Sequence, residues 1–164
     1  MLGLLAVLAL AAHGGQRAES LAPYNPEADP HAELAAAKAL AAREGRLLLV
    51  VFGANWCGDC RAFDAAARQG ELATLLDAHF VLAKVDVGNW DHNLDVVEAW
   101  GDPIAGGIPA IVVAQPDETI LYASKAGDLA RARHMDEAGL VSYFQRLLAV
   151  SQGERGADNL MHAE

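Results

Sequence analysis

The two cysteines of this chain stand three positions apart, as Cys57-Gly58-Asp59-Cys60, just beyond a run of apolar residues. Leu47 to Phe52 is continuously apolar with β-branched members, the pattern of a strand buried on both faces. That strand runs out through Gly53-Ala54-Asn55-Trp56, and a helix is expected to begin at the first cysteine. A thiolate at a helix N-terminus faces unpaired backbone N–H groups and the positive end of the helix dipole. Its pKa falls, so a nucleophile exists near neutral pH. Helical neighbours three apart share a face, so the second sulfur reaches the first. The pair can then open and close a small ring with little backbone movement. On this reading Cys57 attacks and Cys60 resolves.

Other uses of such a pair fit less well. A zinc half-site needs further ligands, but no second CxxC occurs, and His31, His79, His92 and His134 are scattered. A merely structural disulfide closing so short a loop would constrain the unfolded chain little. With no third cysteine, a fold stapled by several disulfides is excluded.

The length of 164 residues suits one domain with a targeting segment and a short tail, and the 53% hydrophobic content supports a packed core. The formal charge of −10 argues against nucleic acid, whose phosphates would repel this surface, and against anionic lipid. Leu2 to Ala12 is an apolar run too short to span a bilayer, followed by small and polar residues. It reads as the core of a secretory signal, although no Lys or Arg precedes it. The expected organisation is a signal peptide over about 1–19, a linker over 20–29 broken by Pro23 and Pro26, a domain over 30–150 and a polar tail over 151–164. Export, to a periplasm or beyond, follows from the signal.

Asp29-Pro30 has the chemistry of an N-cap followed by proline in the first turn, opening a helix through Arg43 that Gly45 ends. Residues from Cys57 to about Ala78 should be helical with a break near Gly70. Phe80 to Val87 reads as a second strand, and Asn93 to Trp100 as a short helix closed by Gly101. Beyond Gly106-Gly107-Ile108-Pro109, Ala110–Ala114 and Thr119–Ala123 form a hairpin across the turn Gln115-Pro116-Asp117-Glu118. Asp136 to Val150 repeats apolar residues at helical spacing. The order predicts an α/β fold with a mixed sheet. Asp91, His92 and Asp95 read as a solvated loop and helix start. Arg131, Arg133 and His134 read as a solvated basic face.

The run Phe52 to Cys60, with Trp56 directly before the first cysteine, resembles the active-site segment of the thioredoxin family. Gly107-Ile108-Pro109 resembles that family's cis-proline loop, and Ala83-Lys84-Val85-Asp86 resembles its central strand. The three matches stand in family order. The Cys-Gly-Asp-Cys form, with Val85-Asp86-Val87 and a short helix after it, resembles small exported bacterial thioredoxin-like proteins.

The resemblance implies a thioredoxin fold, a central mixed β-sheet flanked by helices, and dithiol–disulfide exchange on exported proteins. The reaction would pass through a mixed disulfide on Cys57, as in a protein-disulfide reductase, with reduction or isomerisation favoured over oxidation. No cofactor is expected beyond the redox-active Cys57–Cys60 disulfide, and no metal. Ile108-Pro109 should be cis and lie beside the nucleophilic sulfur, its backbone pairing with an extended substrate peptide, while Trp56 shapes the groove. Expected partners are disulfide-containing or dithiol proteins and a membrane electron donor, with no nucleic acid, and the chain is expected to act as a monomer.

The family places a buried Asp six residues before the first cysteine, where it helps deprotonate the resolving thiol; this chain has Val51 there. Lys84 matches the lysine that accompanies that Asp and is expected to extend to solvent or toward Asp86. The Cys60 proton would then leave through water or another acid, Asp59 being a candidate. Between the cysteines, Gly58-Asp59 sets a carboxylate near Cys57 that should oppose its deprotonation. The rival in another class is a binding module whose cysteines are idle. A peroxidase using Cys57 fits less well, because that pattern surrounds its cysteine with Thr and a nearby Arg and not with a Trp-CxxC.

Overall fold

In the computed structural model, which describes residues 22–125, 127–151 and 153, the first helix α1 spans Pro30–Glu44. The expected signal peptide lies outside the described residues, as does most of the expected tail. Asp29 caps α1 by accepting from the backbone N–H groups of His31 at 3.0 Å and Ala32 at 3.4 Å, with Pro30 in the first turn. Gly45 ends it at φ 65°, the left-handed conformation glycine adopts without penalty.

Strand β1 (Leu47–Gly53) is the centre of the architecture. Its side chains alternate. Leu48, Val50 and Phe52 enter a core with α1, whereas Leu49 and Val51 enter the opposite core with Phe63, Ile111 and Phe144. Both faces are covered, which is why the run is apolar throughout. Helices α2 (Gly58–Ala66) and α3 (Gly70–His79), separated near Gly70, carry the chain to β2 (Phe80–Asp86). β2 pairs with β1 in parallel, from Leu47 opposite Phe80 to Gly53 opposite Asp86. Helix α4 (Leu94–Ala99) and a 3-10 turn (Pro103–Gly106) lead to β3 (Ala110–Ala114).

β3 lies antiparallel on the other side of β1, with β4 (Ile120–Ala123) beyond it. A second 3-10 turn (Ala132–His134) precedes the closing helix α5 (Glu137–Ser151). The sheet order is β2-β1-β3-β4, a mixed sheet with helices on both faces: the thioredoxin fold. Two readings change. Ala83–Asp86, matched to the family's central strand, lies in an edge strand among the described residues. The segment read as a linker is partly built into the domain, because Tyr24 is only 2% exposed within the α1-side core. No described helix is long and apolar enough to cross a membrane.

Candidate functional site

The parallel pairing of β1 with β2 brings the ends of both strands to one edge, and the cysteines sit just past it. Cys57 is the N-cap of α2, in extended backbone conformation, and its Sγ accepts the backbone N–H of Cys60 at 3.1 Å. A sulfur in this position takes an orphan amide at the positive end of the helix, which favours the thiolate once the disulfide opens. The two cysteines form a disulfide. Cys57 keeps 5% of its surface and Cys60 none.

The loop before β3 closes over the first sulfur. Cys57 Sγ lies 3.4 Å from the carbonyl oxygen of Ile108, and the Ile108–Pro109 peptide is cis. Trp56 is 51% exposed and anchors its indole N–H on the carbonyl of Gly88 at 2.7 Å. Trp90, which sequence reasoning passed over, packs beside it with ring centroids 6.1 Å apart and is itself 44% exposed. Trp90 holds φ at 68°, a left-handed conformation that a bulky side chain adopts only when its surroundings impose it. The two indoles form an apolar platform beside the cysteines. A concavity of about 490 Å³ lies between α1 and the β2 edge, with neither cysteine in its lining.

Asp59 does not stand free beside Cys57. It is 7% exposed, and its Oδ1 accepts the backbone N–H of Arg133 at 3.0 Å and faces that residue's Nε at 3.5 Å. Arg133 was read as part of a solvated face. Its side chain is 58% exposed, yet it reaches across to the start of α2, where a Cβ on Gly58 would stand 3.2 Å from its Nη1. The expected repulsion between Asp59 and a Cys57 thiolate is therefore offset by a cation that only the tertiary structure supplies.

Lys84 likewise has a partner, contrary to its expected extension to solvent or toward Asp86. It pairs with Asp64 of α2, donates to the carbonyl of Pro23 at 3.1 Å, and lies 5.8 Å over the Tyr24 ring. The family's carboxylate on β1 is replaced by Val51, and the carboxylate meeting this lysine comes from the helix instead. Asp64, one turn after Cys60 on α2, carried no signal in the sequence beyond its helical spacing. Asp91 with His92, and Asp95 with His31, form exposed pairs. Among the described residues no three His, Cys, Asp or Glu side chains converge as a metal-holding group.

A family model described as thioredoxin-like matches residues 29–116. A disulphide isomerase from Xylella fastidiosa Temecula1 is 43% identical, over 77% of this chain and 96% of that one, with a TM-score of 0.75. A thioredoxin from Thermus thermophilus shares 19% identity over 79% of this chain and 92% of that one, with a TM-score of 0.51, a likeness of fold alone. No curated protein sequence matches the chain.

Proposed function

The chain belongs to the thioredoxin-like family, and we propose that it is a thiol–disulfide oxidoreductase acting through Cys57 and Cys60 on exported proteins, as a reductant or isomerase. One observation carries this reading: Cys57 caps α2 with its sulfur on the Cys60 amide, while Cys60 is fully buried behind it. The Cys57 thiolate attacks a substrate disulfide and forms a mixed disulfide, releasing one substrate thiolate. The Cys60 sulfur then attacks Cys57, closing the intramolecular disulfide and releasing the second substrate thiol. Two electrons pass to the substrate, and no group beyond the cysteine pair is needed.

The substrate segment would lie along the Ile108 carbonyl, 3.4 Å from Cys57 Sγ, with an apolar side chain against Trp56 and Trp90. Isomerisation is supported by the 43% identity to the disulphide isomerase from Xylella fastidiosa Temecula1. Export is supported by the apolar N-terminal run, and a reductant in an oxidising compartment requires an electron donor, which we assign to a membrane reductase. Reduction of insulin disulfides by the purified, pre-reduced protein tests the activity. Recovery of a scrambled disulfide protein tests isomerisation. A protein that performs neither, yet still binds partners as a double cysteine-to-alanine variant, is a docking module.

A further inference from the structure

Gly53, the last residue of β1, has no side chain, and the space is occupied. A Cβ there would overlap the Tyr24 hydroxyl and stand 3.0 Å from Cys60 Sγ. The phenol oxygen thus fills the place a side chain at Gly53 would take, and the resolving sulfur lies beside that same place. Tyr24 is held there firmly. Its backbone N–H donates to Asn55 Oδ1 at 2.9 Å, and Asn55 Nδ2 donates back to its carbonyl at 2.8 Å. Asn55 belongs to the turn that carries Trp56 and Cys57, so the clamp ties the tyrosine to the active-site loop itself. Lys84 stands over the ring and bonds the neighbouring Pro23 carbonyl.

We propose that Tyr24 is a positioning residue for exchange, its hydroxyl donating a hydrogen bond to the Cys60 sulfur when the disulfide is open. This rests on the exchange function proposed for the cysteine pair. The phenol is suited to donate and not to accept a proton. Burial, then the charges of Asp64 and Asp86, push its pKa well above the ordinary tyrosine value. The charged groups around it are those two carboxylates and Lys84, which pairs with Asp64. A hydrogen bond to the charged form stabilises the thiolate and lowers its pKa. In the resolving step the Cys60 S–H bond breaks, the Cys60–Cys57 disulfide forms, and the bond from Cys57 to substrate breaks. The Cys60 proton passes to the departing substrate thiolate through water, and Tyr24 keeps its own proton throughout.

The test is Tyr24→Phe, which keeps the ring and removes the hydroxyl. In a Cys57→Ser background, thiolate absorbance should show Cys60 titrating about one unit higher than with tyrosine present, since a hydrogen bond to a charged group is worth roughly one tenfold step in an equilibrium. With both cysteines, release of a trapped mixed disulfide at neutral pH should slow about threefold, because higher basicity returns part of the lost thiolate reactivity. Attack by Cys57 should be unchanged. Gly53→Ala, which displaces the phenol, should raise the Cys60 titration likewise. An unmoved Cys60 titration in Tyr24→Phe, in a protein whose parent exchanges normally, overturns the role of Tyr24 and leaves the function standing. A parent that catalyses no exchange overturns the function instead.

Discussion

Asp59 and Arg133 stand 74 positions apart in the chain and meet at the first turn of the active-site helix, where the Asp59 carboxylate accepts the Arg133 backbone N–H at 3.0 Å. The pair sets two opposite charges beside the same cysteine. Removing either one should move the redox potential in a known direction. Arg133→Gln leaves the carboxylate less compensated, disfavours the Cys57 thiolate and makes the protein more reducing. Asp59→Asn does the reverse. Because the Arg133 side chain is more than half exposed, screening limits the arginine's effect to about 10–20 mV. The parent should lie nearer thioredoxin, about −270 mV, than the strong oxidant DsbA, about −120 mV. Equilibration against glutathione buffers measures all three proteins. Three equal potentials would show that neither charge acts on Cys57, and the opposite order would overturn the thiolate argument.

The cysteines are not equivalent, because 5% of Cys57 remains exposed and none of Cys60 does. Cys57→Ala should abolish exchange outright. Cys60→Ala should still attack but fail to resolve, so mixed disulfides accumulate and can be isolated under non-reducing conditions. Partners trapped on the Cys57→Ala protein would reverse the assignment.

Trp90 offers exposed aromatic surface beside Trp56 at some cost in backbone conformation. Trp90→Ala should raise KM for a peptide disulfide with an apolar neighbour by roughly tenfold, the scale of one interface anchor, with kcat little changed. The effect should vanish for a small disulfide such as oxidised glutathione, which cannot reach the platform. An equal loss on both substrates would place Trp90 in the packing of the loop and not in recognition.

The chain's three tyrosines all titrate above their ordinary value. Burial is the largest cause for Tyr24, Tyr122 and Tyr143 alike, followed by Asp64 for Tyr24, the Asp128 hydrogen bond for Tyr122 and the charge of Tyr122 for Tyr143. Above about pH 10 the unfolded chain releases these protons while the folded chain retains them, so stability falls as pH rises. Below that pH the contribution is fully present. The slope should approach about 1.4 kcal/mol per pH unit for each of the two deeply buried residues, Tyr24 and Tyr143, with less from half-buried Tyr122. Chemical denaturation at stepped alkaline pH gives the slope, and ultraviolet absorbance reports tyrosinate. Tyrosinate forming near pH 10 in a protein that stays folded would refute the burial argument.

What the sequence determined by itself lies in local periodicity and turn chemistry. The unbroken apolar run of β1, the Asp29 cap, Gly45, and a CxxC following a strand are readable because their physical causes lie within a few residues of them. The same local signals, taken in order, lead to the mixed sheet and to the two sulfurs at a helix start. The tertiary structure alone decided which charges and rings surround those sulfurs. Tyr24 meets Asn55 across 31 positions, Lys84 meets Asp64 across 20, and Arg133 meets Asp59 across 74. Lys84 illustrates the limit: its place on β2 was legible, but its partner was not, since Val51 removed the carboxylate expected on β1 and α2 supplied another. Spacing along a chain says which face a side chain occupies. Which side chain fills the space opposite depends on how the layers pack, as Tyr24 does against Gly53.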